Sequence, residues 1–458
     1  MGTSIVATLC TAFLSFAGTV PLAAEIPSTT VASSAQISTD EPSVRHVESV
    51  LAANPRAPRN LVAASMVLGA RSGVAVYASL DGGRSWRRGT QTGGGSVFDG
   101  IDPAVAFDQE GTAYLLAAGD ELAVWRSTDG GLTWSGRAVV PGSAWDRPWI
   151  ACGPNGQVYV AGKLPVTVFG HPARDIAALS VSRDRGEAFS FPRLFLPDPE
   201  KALLNIVSDL LVAPDGRVIL TLQTFGPENL RAPLLTGSYP TIVSADGGRT
   251  FTQPRSGPVF HVYGHAREGK SLFGVGGARM AIDTSSGPRR GHLYLTWLDA
   301  IDGFYHVMAA ASADGGESWS PPVRVSDNST ATDQSTPAIA VDDQGIVGIS
   351  WYDRRADPTD SCYQLFFAAS ADGAATFSAN RAIDSQPTCP LGPPSQNVAV
   401  DAVASEYRFK NGGDTQGIVG LPGGGFQLAW IREGSGEMQL WSTVVVAQRP
   451  TPAGKPPS

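Results

Sequence analysis

Short runs in which apolar and polar residues alternate fill most of this chain, and glycine-containing turns separate them. The region from residue 102 to residue 140 shows the pattern best, with runs at 102–107, 112–117, 122–126 and 135–140. Alternation with a period of two is typical of β-strands that bury one face, whereas helical periodicity is nearly absent. The pattern therefore predicts an all-β protein built from groups of four strands.

One eight-residue phrase recurs six times and divides the chain into units of similar length. The copies are SLDGGRSW at Ser79, STDGGLTW at Ser127, SRDRGEAF at Ser182, SADGGRTF at Ser244, SADGGESW at Ser312 and SADGAATF at Ser370. Asp accepts hydrogen bonds from turn amides and Gly supplies positive φ, so we expect each copy to be a tight turn that ends on a buried ring. Repeats of this kind bury their apolar faces only by stacking, which indicates a repeat architecture.

The phrase S-x-D-x-G-x-[ST]-[WF] resembles the Asp-box, or BNR repeat, of sialidases and related β-propellers. The resemblance implies a single β-propeller of four-stranded blades and a structural role for the Asp of each copy, namely Asp81, Asp129, Asp184, Asp246, Asp314 and Asp372. Two copies depart from the pattern. Ala188 replaces the hydroxyl residue and Ala374 replaces the second Gly, so we expect those two turns to be held less well.

The blade template predicts seven units. They run over residues 44–90, 101–140, 145–196, 206–256, 277–325, 335–383 and 411–446, and six blades, the number in sialidases, is the alternative. The last unit has three predicted strands and no copy of the phrase. We therefore expect the segment before Val44 to supply its outer strand, which closes the ring and removes exposed edges.

The two ends of the chain differ in composition from the repeats. Residues 5–24 are apolar and end in small residues, which predicts a signal peptide over residues 1–24, although no Lys or Arg precedes the apolar run. Gly18 and Pro21 interrupt the run and favour a signal over a membrane anchor. Residues 25–43 are predicted to be a linker or the ring-closing segment, 44–446 the propeller and 447–458 a disordered tail. A secreted or periplasmic monomer with no stable membrane span is expected.

Charge and cysteine content narrow the choice of partners. A net charge of −8 with no long basic run argues against nucleic acid as a partner. Cys362 and Cys389 lie in two polar, Pro-rich loops and are predicted to form a disulfide, which agrees with export. A metal pair is the alternative, but no further Cys or His lies nearby with ligand spacing. Cys152 is expected to be a buried thiol. No metal or cofactor is predicted.

The meander connectivity predicts which face of the propeller carries the function. The repeated phrase and the turn between strands one and two lie on one face, so the longer connections lie on the opposite face. These connections are residues 163–175, 222–240, 257–276, 299–306, 353–362 and 384–410. Long loops around a central pit predict a binding site on that face.

Polar and aromatic residues gather at this predicted face. The starts of inner strands contribute Asp102, Asp146, Arg147, Asp209, Asp333, Gln334 and Asp414, and later segments contribute Trp297, Asp299, Trp351, Tyr352, Asp353, Arg354, Arg355, Glu406, Tyr407 and Arg408. Flat rings suit sugar faces, carboxylates suit acid/base work, and Arg suits bidentate contact with a carboxylate. For any single residue, a hydrogen bond to a neighbouring blade or an ion pair is the alternative. Together they predict a carbohydrate site.

The sialidase resemblance implies an Arg triad, a Tyr–Glu nucleophile pair and an Asp acid/base. The candidates are Arg147, Arg354 and Arg408 for the triad, Tyr407 with Glu406 for the pair, and Asp146 or Asp353 for the acid, with Arg355, Trp351, Tyr352, Trp297 and Asp299 as further substrate-binding residues. The Arg-Ile-Pro element of sialidases is absent. DRPWIA, WYDRR and the late GGD resemble secreted bacterial BNR-repeat proteins. An exo-α-sialidase-like glycoside hydrolase acting on acidic glycans is thus the favoured hypothesis.

Two other classes of function stay open. A non-catalytic propeller would use the same face to bind carbohydrate or protein without turnover. A propeller polysaccharide lyase would use Tyr or His as its base, and His261, His265 and His306 lie on or beside the predicted face. A lone loop His is more often solvated than catalytic.

Overall fold

The computed structural model describes residues 26–69, 72–166, 174–196, 204–225, 233–263, 277–389, 412–434 and 436–450. These residues form 32 β-strands and one short 3-10 helix at Pro154–Gly156. No α-helix occurs in the described ranges, and none of their elements is a helix that could cross a membrane. The all-β prediction is confirmed.

The strands follow one another in antiparallel meanders. The first half of the chain contains β1 (Ser28–Val31), β2 (Ala35–Gln36), β3 (Arg45–Ala53), β4 (Leu61–Leu68), β5 (Gly73–Ser79), β6 (Arg87–Arg88), β7 (Thr90–Gln91), β8 (Val97–Phe98), β9 (Ile101–Phe107), β10 (Ala113–Ala118), β11 (Leu122–Ser127), β12 (Thr133–Val140), β13 (Asp146–Cys152), β14 (Val158–Val166), β15 (Arg174–Ser182) and β16 (Arg193–Phe195).

The second half repeats the same order of strands. It contains β17 (Leu204–Val212), β18 (Val218–Phe225), β19 (Leu234–Ser238), β20 (Thr241–Ser244), β21 (Val259–Tyr263), β22 (Arg279–Ile282), β23 (Leu293–Ile301), β24 (Phe304–Ser312), β25 (Val323–Arg324), β26 (Gln334–Val341), β27 (Val347–Asp353), β28 (Gln364–Ser370), β29 (Arg381–Ala382), β30 (Gly417–Gly420), β31 (Phe426–Gly434) and β32 (Glu437–Gln448).

The meanders close into a ring around an axis. Seven inner strands, namely β3, β9, β13, β17, β22, β26 and β30, each contact the next, and β30 contacts β3. The molecule is therefore a β-propeller. Within the described ranges the hydrogen-bonded sheets number six, because β15 and β17 join two consecutive meanders into one nine-stranded sheet.

The N-terminal segment completes the last blade. β1 pairs antiparallel with β32, with Ser28 opposite Gln448 and Val31 opposite Val445, and β2 pairs with the same strand. The outer strand missing from the last unit thus comes from the other end of the propeller. This pairing ties the two ends of the chain together and covers the edge of β32.

The six repeated turns share one hydrogen-bond network. In the fifth copy, the Ser312 hydroxyl donates to Asp314 at 2.8 Å, the Gly316 amide donates to Ser312, and the Ser318 hydroxyl donates to Asp314 at 2.5 Å. These bonds favour the ionised carboxylate and lower the pKa of Asp314 to about 2. The same bonds from the Ser and from the turn amides recur at Asp81, Asp129, Asp184, Asp246 and Asp372.

The two copies that depart from the pattern show the expected differences. Ala188 donates its amide to Asp184 at 3.0 Å, but it has no hydroxyl to complete the network. Ala374 adopts a φ of 66°. Glycine adopts this conformation more easily than alanine, because glycine has no Cβ. Both turns thus lack one stabilising feature that the other copies have.

The repeated turns lie on the same face as the short connections between first and second strands. Asn60 lies at the end of the first such connection. Its side-chain amide donates to the Gly130 carbonyl, in the second copy of the phrase, at 2.8 Å. Arg185 of the third copy pairs with Glu110 of the next connection. The starts of the inner strands, at the opposite ends of these strands, therefore lie on the other face.

Several of the predicted long connections on that other face contain strand. β19 and β21 lie inside 222–240 and 257–276 and pair with each other. The prediction of a loop over residues 299–306 is wrong, because β23 and β24 pair up to Ile301 and Phe304. Only Asp302 and Gly303 form the turn, with φ angles of 52° and 92°. A two-residue hairpin of this conformation matches the twist of paired strands, so the apolar run continues as strand on both sides.

The predicted disulfide between Cys362 and Cys389 is present. It joins two loops on the face opposite the repeated turns, and β28 and the sixth repeated turn lie between its ends. Cys152, on β13, is a free cysteine, and burial raises the pKa of its thiol.

Removing this disulfide is expected to lower the free energy of unfolding by about 3–4 kcal/mol, because the bond closes a loop of 27 residues in the unfolded chain. Urea unfolding of the Cys362→Ser, Cys389→Ser double variant would measure the change. Adding reductant should lower the unfolding midpoint of the wild type toward that of the double variant. It should lower the midpoint of a Cys152→Ala control by the same amount. An unfolding midpoint unchanged by reductant would contradict the expectation.

Candidate functional site

A rim of strained residues surrounds the axis on the face opposite the repeated turns. Four non-glycine residues near the starts of inner strands have left-handed backbones: Glu48 (φ 56°), Asp102 (48°), Arg147 (49°) and Thr336 (53°). Each lies where the pairing register with the second strand shifts, which marks a β-bulge. Residues held in this conformation cluster at functional sites, because the surrounding fold must compensate for the strain.

Three carboxyl groups of this rim form a continuous chain. The carboxyl of Asp102 is in hydrogen-bonding contact with Glu48 on one side and with Asp146 on the other. Asp146 then accepts a bond from Lys163 Nζ at 2.7 Å, and Lys163 also reaches Asp175 at 2.8 Å. Glu48 is buried, whereas the side chain of Asp146 keeps 48% of its surface exposed. The chain therefore runs from the interior to the solvent.

The surroundings push two adjacent carboxyl pKa values apart. Burial raises the pKa of Asp102, and the neighbouring charge of Asp146 adds to the rise. Burial alone would also raise the pKa of Asp146, but the hydrogen bond and charge of Lys163 outweigh it and lower the value. Asp102 thus holds a proton more tightly than the adjacent Asp146 does, and carboxyls whose pKa values are separated in this way often act as acid and base in active sites.

Arg147 closes the other side of the rim. Its Nη2 donates to Asp414 at 2.8 Å, and its amide donates to Asp102 at 3.2 Å. A cavity of about 30 Å³ is lined by Glu48, Asp102, Arg147 and Asp414. It has room for one or two water molecules. Asp414 and Asp102 therefore border the same small polar space.

A channel continues along the axis beneath the rim. Its volume is about 330 Å³, and all seven inner strands line it. Trp149 borders both this channel and the rim cavity. The rim is therefore the mouth of an axial channel.

Two of the arginines predicted to form a triad, Arg147 and Arg354, lie in the described part of the chain, and they differ in exposure. Arg147 lies at the rim, whereas Arg354 is buried with 2% exposure and donates to Ser335 at 3.3 Å. Arg355 makes a bidentate pair with Asp353, with bonds of 2.9 and 2.8 Å. Asp353 has no exposed surface and also accepts a bond from Trp351. This placement favours structural roles for Asp353, Arg354 and Arg355.

The predicted aromatic platform lies in the core. Trp297, Trp351 and Tyr352 each have 0% exposure, so none presents a ring face to a ligand. Tyr352 accepts a hydrogen bond from the Ile431 amide of the last blade. Because stacking on a sugar needs an exposed face, the three rings are left out of the proposed site.

The histidines beside the face are held by neighbouring blades. His261 contacts Asp299 through both its amide, at 2.7 Å, and its ring Nδ1, at 3.0 Å. His306 is buried against Gln334, and burial lowers its pKa. Asp299 thus anchors β21 to the next blade. Glu406, Tyr407, Arg408 and His265 lie outside the described residues, and their predicted roles stay predictions.

Comparisons with known proteins give a likeness in structure alone. No protein-family model matches the chain, and no curated protein matches it. A Dyadobacter fermentans protein of unknown function is 13% identical, with a TM-score of 0.46, over 92% of this chain and 100% of that one. The leech intramolecular trans-sialidase is 14% identical with a TM-score of 0.41, over 93% and 70%. A Penicillium chrysogenum α-L-arabinanase is 14% identical with a TM-score of 0.43, over 75% and 92%.

These values carry no residue role or activity over to this chain. The sequence alone does not single out Glu48, which sits in an apolar run without a motif, and it offers Trp149 only as part of the DRPWIA string. The signal that finds them is the position of each one near the start of an inner strand, which requires the strand assignments first.

Proposed function

We propose that this protein is an exported glycoside hydrolase whose acid/base centre is the rim around Asp102. The observation that carries the proposal is the pair of adjacent carboxyls, Asp102 and Asp146, whose pKa values are shifted in opposite directions. Glycoside hydrolysis needs a protonated carboxyl as general acid and a second carboxylate on the other side of the bond, and the opposite shifts identify Asp102 as the carboxyl that keeps its proton. The predicted signal peptide and the disulfide support export.

In this proposal Asp102 donates its proton to the glycosidic oxygen as the bond to the anomeric carbon breaks. Asp146 cannot act from the opposite side of that bond, because it is in direct contact with Asp102. It instead holds the proton on Asp102 between turnovers by its own negative charge. Asp414, across the small cavity, activates the attacking water, and Arg147 orients the Asp414 carboxylate.

The hypothesis of an Arg triad receives less support than the carboxyl centre. Of the three predicted arginines, Arg147 is paired with Asp414 and Arg354 is buried. Sialosides therefore become one substrate class among several to be tested. A binding propeller without turnover remains the alternative, and it predicts affinity for a glycan with no release of product.

The pH dependence of turnover tests the proposal. Activity requires Asp102 protonated, so it should fall as pH rises through the raised pKa of that group. It also requires Asp414 ionised as the base, so activity should fall again at low pH. Kinetics on aryl glycosides, sialosides and polysaccharides from pH 3 to pH 9 would measure the profile. Lys163→Met removes a cation beside the Asp102–Asp146 pair and should move the alkaline limb upward.

Two outcomes would count against the proposal. Folded protein with no turnover on any member of the panel would favour the binding propeller. Turnover with an alkaline limb that is unchanged in Asp102→Asn would place the acid elsewhere.

A further inference from the structure

A layer of residues below the rim contains an isolated charged pair. The channel wall includes Val50, Ala104, Trp149, Asp209, Arg279 and Ala338 from six inner strands, and Gln416, which directly precedes the seventh. Among all the residues that line the channel, Asp209 and Arg279 are the charged ones. Protein surrounds the channel, so electrostatic interactions there are stronger than in bulk water.

The guanidinium of Arg279 is fixed but incompletely bonded. Within the described residues its polar contact is from Nε to Asp209 at 3.5 Å, which is long for a hydrogen bond. The group stacks over the ring of Trp149, with 3.8 Å from Cζ to the ring centroid. No described residue accepts from its two terminal amino groups, and the side chain keeps 23% of its surface exposed. Because Arg279 lines the channel, that surface faces the channel.

Asp209 compensates the charge of Arg279 only in part. Its two oxygens accept the Leu210 amide at 2.8 Å and the Met280 amide at 2.7 Å. Burial raises the pKa of Asp209 in spite of the nearby guanidinium. A planar cation with free donors and a weak counterion therefore faces the channel, and an anion there would complete its hydrogen bonding.

We propose that the axial channel binds a small carboxylate-bearing ligand on the terminal amino groups of Arg279. The planar fork of a guanidinium matches a carboxylate with two parallel hydrogen bonds. The channel volume of about 330 Å³ accommodates an organic acid as small as acetate or one as large as a sugar acid. The site does not depend on the proposed hydrolase activity, since its residues lie below the carboxyl chain.

Titration calorimetry on the purified full-length protein tests the site. Sodium acetate and sodium glucuronate are titrated at constant ionic strength, with glucose and sodium chloride as controls. Saturable binding of either carboxylate is expected, about ten-fold or more weaker in Arg279→Gln and unchanged in Arg255→Gln, whose arginine is exposed. Equal affinity for both acids indicates a free carboxylate as ligand, and much tighter glucuronate binding indicates a sugar acid.

The inference would be overturned by no carboxylate binding, by equal binding of chloride, or by full affinity in Arg279→Gln. Thermal unfolding checks that each variant is folded. Ala338→Leu provides an independent variant, because it narrows the channel and leaves the guanidinium intact. Unchanged carboxylate affinity in Ala338→Leu would place the ligand outside the channel and would also overturn the inference.

Discussion

Asp102→Asn is expected to reduce kcat by about 10²–10⁴-fold, because the amide cannot donate the proton that general acid catalysis needs. The substitution keeps the size of the side chain. Asn also tolerates the left-handed backbone that Asp102 adopts, so the rim should keep its shape. Initial rates on the best substrate of the panel would measure the change.

The same variant should be at least as stable as the wild type. The folded protein holds the Asp102 proton more tightly than the unfolded chain does, because the pKa is raised. This contribution to stability is present at low pH and is lost as pH rises through the folded-state pKa. The amide carries no such proton, so the stability of Asp102→Asn relative to wild type should increase with pH. Urea unfolding at pH 5 and pH 8 would show the difference.

Asp302→Asn is the matched control. Asp302 is exposed, lies in a hairpin turn and has a similar φ of 52°. The same chemical change there should leave both kcat and stability within error. If Asp102→Asn retains wild-type kcat while Asp302→Asn behaves as expected, Asp102 is not the acid.

Arg355→Met is expected to lower the free energy of unfolding by about 3–5 kcal/mol, because it leaves the fully buried Asp353 without its bidentate partner. Asp353 would keep the Trp351 indole and the residue 355 amide as donors. These neutral donors do not balance a buried charge. Urea unfolding monitored by tryptophan fluorescence would measure the loss.

The double variant Asp353→Asn, Arg355→Met separates a structural role from a substrate-binding role. Removing both charges should recover most of the lost stability, since no unpaired buried charge remains. Arg255→Met removes an exposed pair and should cost less than about 1 kcal/mol. A raised KM with unchanged stability in Arg355→Met would instead support the role in substrate binding that the sequence suggested.

The alternating pattern and the repeated phrase predicted the fold because both are local. A period of two depends on strand geometry alone, and the strands predicted at 102–107, 112–117, 122–126 and 135–140 correspond to β9, β10, β11 and β12. The hydrogen bonds of the repeated phrase span eight residues or fewer. The sequence also places Asp102 and Asp146 at the starts of inner strands, on the face opposite the repeated phrase.

The selection of residues within that face depended on the tertiary structure. The sequence gives no sign of which side chains are exposed in the strings Trp351-Tyr352-Asp353-Arg354-Arg355 and Glu48-Ser49. Packing between blades buries the first four residues of the former string, whereas β-bulges bring Glu48 beside Asp102. The contact between Asp102 and Asp146 joins two blades, and so does the stacking of Arg279 on Trp149. A pattern along one strand determines its two faces, but closure of the ring decides which side chains from different strands meet.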